Sequence, residues 1–184
     1  GQILALCKDP DPEVRYEALH WAGESTRSQE SPPAGYARQV FAVLHSELAD
    51  TNPKVRKMAY EGLLLNANVD PTATLAVMKR DLADPDREIR FEILGAIAGD
   101  KGPWDDPKLL AGTMAAPLEK RLEAAVEVRE SFAVVEALAH IGPLPESALH
   151  FLLAHFQEIG DSGQILNAVS QQGPRALPLI ARIL

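Results

Sequence analysis

The 184-residue chain has one cysteine, few aromatic residues and no long hydrophobic run. A single cysteine, Cys7, excludes an internal disulfide and a cysteine-based zinc site, and its apolar neighbours predict a buried side chain rather than a reactive thiol. Aromatic residues make up 5% of the chain, which favours close-packed helices over β-sandwiches and barrels. Because no apolar run approaches the ~18–20 residues that cross a bilayer, membrane insertion is not expected, and cytoplasm is the default location.

Positive charge is also scarce. Lys and Arg number 18 against 26 Asp and Glu, which gives a net charge of −8 at pH 7. A protein that binds phosphate backbones needs clustered positive charge, so nucleic-acid binding is disfavoured. The hydrophobic content of 46% is sufficient for a core and excludes a wholly disordered chain.

A recurring pattern organises the sequence. In each copy an acidic residue stands five positions before a β-branched aliphatic residue, and arginine follows the aliphatic residue directly. The aliphatic residues of the four copies are Val14, Val55, Ile89 and Val128, and a weaker fifth copy contains Ile165. The acidic residue and arginine of the four copies are Asp9 and Arg15, Asp50 and Arg56, Asp84 and Arg90, and Glu123 and Arg129. Successive copies recur at a nearly regular interval, which is typical of helical repeat arrays.

Each copy predicts the start of a helix. The acidic side chain can accept a hydrogen bond from an unpaired N–H group of the first turn and suits the positive end of the helix dipole. Apolar positions then recur at helical spacing, and glycines such as Gly23 and Gly99 predict helix ends. Residues 24–35 are predicted to form a polar loop. The predicted helices cover residues 2–8, 12–23, 34–49, 53–66, 71–83, 85–98, 107–122, 126–141, 144–158 and 162–172, with a last one from 174.

The pattern D-x-D-x-x-V-R followed by A-x-x-A resembles the HEAT repeat, particularly the bacterial form of phycobilin-lyase-like HEAT proteins. The resemblance extends from Ile3 to Gly173. It implies an all-α fold in which residues 1–184 form one right-handed α-α superhelix, or solenoid, of about five helix pairs. Because the sequence begins and ends within helix pairs, a fragment of a longer repeat array is expected. HEAT repeats serve mostly as scaffolds that bind other proteins.

The repeated acidic residues and arginines are interpreted as a structural ladder. Each arginine is expected to bond an acidic residue of its own or the adjacent repeat, and a basic binding surface is the alternative. Partly exposed ion pairs contribute about 0.2–1 kcal/mol, whereas burial of one Leu or Ile contributes about 1.5–3 kcal/mol. The ladder is therefore expected to set repeat orientation while apolar packing holds the array together.

Signatures of catalysis are weak. In HEAT proteins that resemble deoxyhypusine hydroxylase, His-Glu dipeptides bind iron, but none of the five histidines here precedes glutamate. No metal or other cofactor is therefore expected. Two enzyme alternatives remain by resemblance, a phycobilin-lyase-like chromophore lyase and, disfavoured by the acidic charge, an alkylpurine DNA glycosylase-like protein. Glu17, His20 and Glu24 share one side of a helix, where acid–base chemistry is the alternative to a solvated polar face.

A non-catalytic scaffold whose second helices line a concave partner-binding surface is the leading functional hypothesis. If the repeated aliphatic residue points inward, positions two and six residues later point away from the core. Tyr16 and Phe91 are then the leading aromatic contacts, and nearby glutamates predict a negative groove for a basic peptide or protein. Self-association is a further possibility. The predicted partner-binding residues are Tyr16, Glu17, His20, Lys57, Glu61, Phe91, Glu92, Glu130, Asn167 and Gln171.

Overall fold

The structure, a computed structural model, describes residues 2–28, 35–99 and 107–155, together with Gly173 and Ala181. Within these residues the chain is helical and has no strand, which confirms the all-α prediction for this part of the chain. The predicted helices over 162–172 and from 174 lie outside the described ranges. Nine helices are described: α1 (Gln2–Leu6), α2 (Pro12–Ser28), α3 (Tyr36–Glu47), α4 (Pro53–Leu65), α5 (Pro71–Asp81), α6 (Arg87–Ala98), α7 (Pro107–Ala124), α8 (Val128–Ile141) and α9 (Glu146–His155).

The described residues divide into two compact units, and the boundary falls between Glu92 and Ile93 within α6. In the first unit α2 packs against α1, α3 and α4, and α3 also packs against α4. In the second unit α7 packs against α8, and both contact α9. None of the described helices is long and apolar enough to span a bilayer.

Side-chain caps begin the helices that follow the repeated pattern. The cap lies two positions after the repeated acidic residue, at Asp11, Asn52 and Asp86, and accepts a hydrogen bond from the backbone N–H two residues further on at 2.9–3.0 Å. Such a cap satisfies one of the N–H groups that has no partner inside the helix. Because Asp86 is the cap, α6 begins at Arg87 rather than at residue 85 as predicted.

The prediction that a helix ends at Gly23 is wrong, since α2 continues to Ser28 and residues 24–28 are helical rather than part of a loop. Gly23 is buried where α2 packs against α4, and a Cβ atom added to it would lie 3.1 Å from the Cα atom of Gly62. A Cβ atom on Gly62 would lie 2.6 Å from the Leu44 side chain. Gly23 therefore lets the backbones of α2 and α4 approach closely instead of ending a helix, and Gly62 leaves room for the Leu44 side chain.

The role of Gly23 predicts opposite effects of one substitution at two helical glycines. Gly23→Leu should lower the free energy of unfolding by about 1–3 kcal/mol because the new side chain overpacks the α2–α4 contact. Gly112→Leu, in α7, should raise the free energy of unfolding by about 0.5–1 kcal/mol. Gly112 is exposed with open space around its Cβ position, and leucine has a higher helix propensity than glycine. Urea unfolding of both variants measures the difference, and a stabilising effect at Gly23 would contradict the close-approach explanation.

Candidate functional site

Three copies of the repeated pattern form the same turn. The first acidic side chain, Asp9, Asp50 or Asp84, accepts a hydrogen bond from the backbone N–H two residues later at 2.7–2.9 Å. The arginine six residues after it donates from Nη1 to the carbonyl oxygens of the first two turn residues at 2.7–3.3 Å. Each copy is thus closed by its own acidic and arginine side chains, which explains the fixed spacing between them.

Arg15 also connects its turn to the next one. Its Nε and Nη2 donate to the two carboxylate oxygens of Asp50 at 2.7 and 3.0 Å, and the side chains are 15% and 6% exposed. Burial by itself would raise the pKa of Asp50, but hydrogen bonds from Arg15 and from the Asn52 N–H outweigh burial and lower that pKa. Arg56 lies 3.9 Å from the carboxylate of Asp86 in the following turn. The turns therefore connect consecutive repeats within the first unit.

The fourth copy does not form this turn, although its residue types match. The first backbone hydrogen bond of α8 runs from the Ser131 N–H to the Glu127 carbonyl, whereas in the other three copies the corresponding donor is the N–H of the repeated arginine. Ser131 therefore occupies the arginine position, and the sequence match is displaced by two residues. Glu123 and Arg129, assigned to the ladder from sequence, are both exposed.

This displacement buries Glu130, a predicted partner-binding residue, and Val134, which lies six residues after the repeated Val128 and was expected to point away from the core. The Glu130 side chain is 4% exposed and Val134 is fully buried, so the prediction that they point away from the core is wrong. Arg121 of α7 donates from Nε to Glu130 Oε1 at 2.7 Å, and its Nη2 lies 2.6 Å from the same oxygen. Glu130 thus joins α7 to α8 instead of lining a binding surface.

The structure brings Tyr16, Lys57 and Glu61 together in a groove between α2 and α4, named here the Tyr16 groove. Its volume is about 340 Å³, and its other lining residues are Glu13, Lys54 and Met58. Lys57 Nζ lies 3.4 Å from Glu92 and 3.7 Å from Glu88, both on α6, and 4.0 Å from Glu61. Burial by itself would lower the pKa of Lys57, but the three carboxylates outweigh it and raise that pKa. Lys57 is therefore charged at neutral pH.

Other predicted partner-binding residues lie away from this groove. Phe91 is half-buried on α6, next to Glu92. Glu17 lines a separate groove beside α1. His20 is exposed, and its ring meets that of Trp21 edge-on at a centroid distance of 5.5 Å. Two further predicted residues lie outside the described ranges, Asn167 and Gln171.

The separate groove was not predicted from the sequence. Its walls are formed by α1 and α2, and its volume is about 450 Å³. Ile3, Leu6 and Trp21 contribute large apolar side chains that are 38%, 45% and 60% exposed. This surface is named here the Trp21 groove. An alignment of the first two copies of the repeated pattern could have indicated it. In that alignment Trp21 of α2 has the same position as Gly62 of α4, so a large apolar side chain replaces a glycine.

Cys7 is buried, as predicted, at the junction of α1 and the first turn. Its Sγ donates a weak hydrogen bond to the Ile3 carbonyl at 3.4 Å. Burial raises the pKa of the Cys7 thiol to about 11, so the thiolate is scarce at neutral pH. The surroundings of Cys7 are those of a packing residue.

Comparisons with protein-family models, with curated proteins and with solved structures give no match for this chain. Over residues 2–28, 35–99 and 107–155, no three His, Cys, Asp or Glu side chains are arranged to hold a metal ion. Within the described residues, the two grooves and the charges around them are the candidate binding sites.

Proposed function

We propose that this chain is a HEAT-type helical repeat protein that acts as a non-catalytic scaffold and binds a basic peptide segment of another protein in the Tyr16 groove. The single observation that carries the proposal is the groove itself. Residues two and six positions after the repeated aliphatic residues, Tyr16, Lys57 and Glu61, line one surface between α2 and α4. In a solenoid, equivalent helices of consecutive repeats form such a continuous binding surface.

The charge around the groove favours a cationic partner. Four carboxylates, those of Glu13, Glu61, Glu88 and Glu92, stand against three cationic groups: Lys54, Lys57 and Arg87, whose Nε lies 3.4 Å from Glu88. The surplus of one negative charge would attract lysine or arginine side chains and speed their approach. It is opposite in sign to the charge that a groove for a phosphate backbone requires.

Lys57 gives the groove a fixed internal charge arrangement. Its ammonium group lies within 4.0 Å of three carboxylates, two from α6 and one from α4. It cannot neutralise all three, so an arriving cation finds carboxylate oxygens that are already positioned. Tyr16 is half-buried beside them and supplies an aromatic surface that packs with little loss of side-chain entropy.

The proposal predicts that Tyr16→Ala weakens peptide binding without changing the fold. The probe is a fluorescent peptide of alternating arginine and leucine, with a peptide of alternating glutamate and leucine as its charge control. Fluorescence anisotropy should show a Kd at least about fivefold higher for Tyr16→Ala, because this variant loses an aromatic contact in the groove. Helicity and Tm should stay nearly unchanged, since the Tyr16 side chain is only half-buried.

A pair of variants tests the role of charge. Glu92→Gln should weaken binding of the arginine peptide and reduce its salt dependence, whereas Glu119→Gln, on the exposed surface of α7, should leave both unchanged. The proposal is wrong if Tyr16→Ala does not alter the Kd, or if the glutamate peptide binds as well as the arginine peptide.

A further inference from the structure

The Trp21 groove is an apolar surface with acidic residues at its side. Its apolar lining is formed by Ile3, Leu6, Val14, Ala18 and Trp21. Glu13 and Glu17 also border it, and both are exposed. Single exposed apolar residues are ordinary on a protein surface, but a contiguous apolar patch with a polar border is characteristic of an interaction site.

The repeat within the chain shows what kind of element such a face receives. When the first two copies of the pattern are aligned, Val14 and Ala18 correspond to Val55 and Ala59 of α4, which are both completely buried. That face of α4 packs against helix α2, with Gly62 and Gly23 in contact. The corresponding face of α2 therefore has the geometry of a helix-packing surface. Val14, Ala18 and Trp21 follow one another at i, i+4 and i+7, a line of about 10 Å along the helix axis.

Two positions on this face differ from their counterparts in α4. Trp21 replaces Gly62, so a second helix cannot approach α2 as closely as α2 approaches α4. Glu17 has the position that Met58 has in α4, and Met58 is only 7% exposed. An element that covered Glu17 with apolar atoms would leave a buried carboxylate without a partner, which is costly. The occupant must therefore pack against an indole and place positive charge near Glu17 and Glu13.

We propose that the Trp21 groove binds an amphipathic helix of another protein, with apolar residues at i, i+4 and i+7 and with lysine or arginine beside them. Helices of this kind dock through anchors at such spacing, and tryptophan is among the residues that contribute most at protein interfaces. A second copy of this chain is disfavoured as the occupant because each copy has a net charge of −8. This proposal does not depend on the Tyr16 groove.

The test uses the intact chain and a fluorescent helical peptide with leucine at i, i+4 and i+7 and lysine on both sides of that stripe. Anisotropy should show saturable binding, and Trp21→Ala should raise the Kd by at least about tenfold. Leu65→Ala is the matched control, since Leu65 is another large exposed apolar residue but lies on α4, and it should not change the Kd. Trp104 is the other tryptophan of the sequence, so Trp104→Phe leaves Trp21 as the single tryptophan fluorophore. In that variant the peptide should also shift the emission of Trp21 to shorter wavelength.

Charge provides a readout that is independent of Trp21. Glu17→Lys should raise the Kd for the lysine peptide by at least about fivefold and improve binding of a matched glutamate peptide. Tyr16→Ala should leave the Kd for the lysine peptide unchanged, which separates this proposal from the Tyr16 groove. Equal binding of the lysine peptide to wild type and Trp21→Ala would overturn the proposal. So would a concentration-dependent dimer that Trp21→Ala abolishes, because the occupant would then be a second copy.

Discussion

Asp50→Ala is expected to lower the free energy of unfolding by about 2–4 kcal/mol, because the substitution removes the acceptor of three hydrogen bonds in a nearly buried site. The Asp50 carboxylate accepts from Nε and Nη2 of Arg15 and from the backbone N–H of Asn52. Without it the Arg15 side chain, 15% exposed, loses its carboxylate partner while its position is still held by the turn carbonyls. Equilibrium urea unfolding, followed by circular dichroism, measures the loss.

Glu123→Ala is the matched control for Asp50→Ala. Glu123 has the same position in the sequence pattern as Asp50 but lies exposed on α7, so its removal should change stability by no more than about 0.5 kcal/mol. Combining Asp50→Ala with Arg15→Ala should add little further loss, because the two residues act as one unit. Equal effects of Asp50→Ala and Glu123→Ala would mean that the contribution does not come from the turn.

The contrast between Asp50 and Glu123 shows where sequence reasoning succeeds in this chain. The turns at Asp9, Asp50 and Asp84 depend on contacts between near neighbours in the sequence, so the spacing of their polar groups is visible directly. The start of α8 depends instead on which residues pack against α7. The register of α8 is set by the burial of Glu130 and Val134 against α7. The match of Glu123, Val128 and Arg129 to the repeated pattern is coincidental.

Gly23 illustrates the same limit for helix boundaries. Glycine is a frequent helix terminator, and the polar residues after Gly23 strengthen that interpretation. The partner that makes glycine necessary, Gly62, belongs to the next repeat, and the contact between them exists only after α2 and α4 pack. A local pattern cannot distinguish a glycine that ends a helix from one that allows two helices to touch.

The Tyr16 groove could be predicted from the helical periodicity of the sequence, whereas the Trp21 groove could not. Tyr16, Lys57 and Glu61 could be grouped from helical periodicity, because they hold equivalent positions on helices of consecutive repeats. Glu17 was grouped with them because it adjoins Tyr16 in sequence, but a helix turns by about 100° per residue, and Glu17 lines the Trp21 groove instead. That groove depends on how α1 packs against α2, which periodicity within one helix does not specify.

Glu130→Ala should lower the free energy of unfolding by about 3–5 kcal/mol, since it leaves the Arg121 guanidinium, 17% exposed, without its carboxylate partner between α7 and α8. Glu119→Ala, on the exposed face of α7, should have an effect within about 0.5 kcal/mol. The double variant Arg121→Met with Glu130→Leu should recover most of the loss, because two apolar side chains of similar volume remove both buried charges. Chemical unfolding of wild type and these three variants measures the loss and its recovery. If Glu130→Ala were as mild as Glu119→Ala, the displaced register of α8 would be wrong, and Glu130 would again be available to a partner.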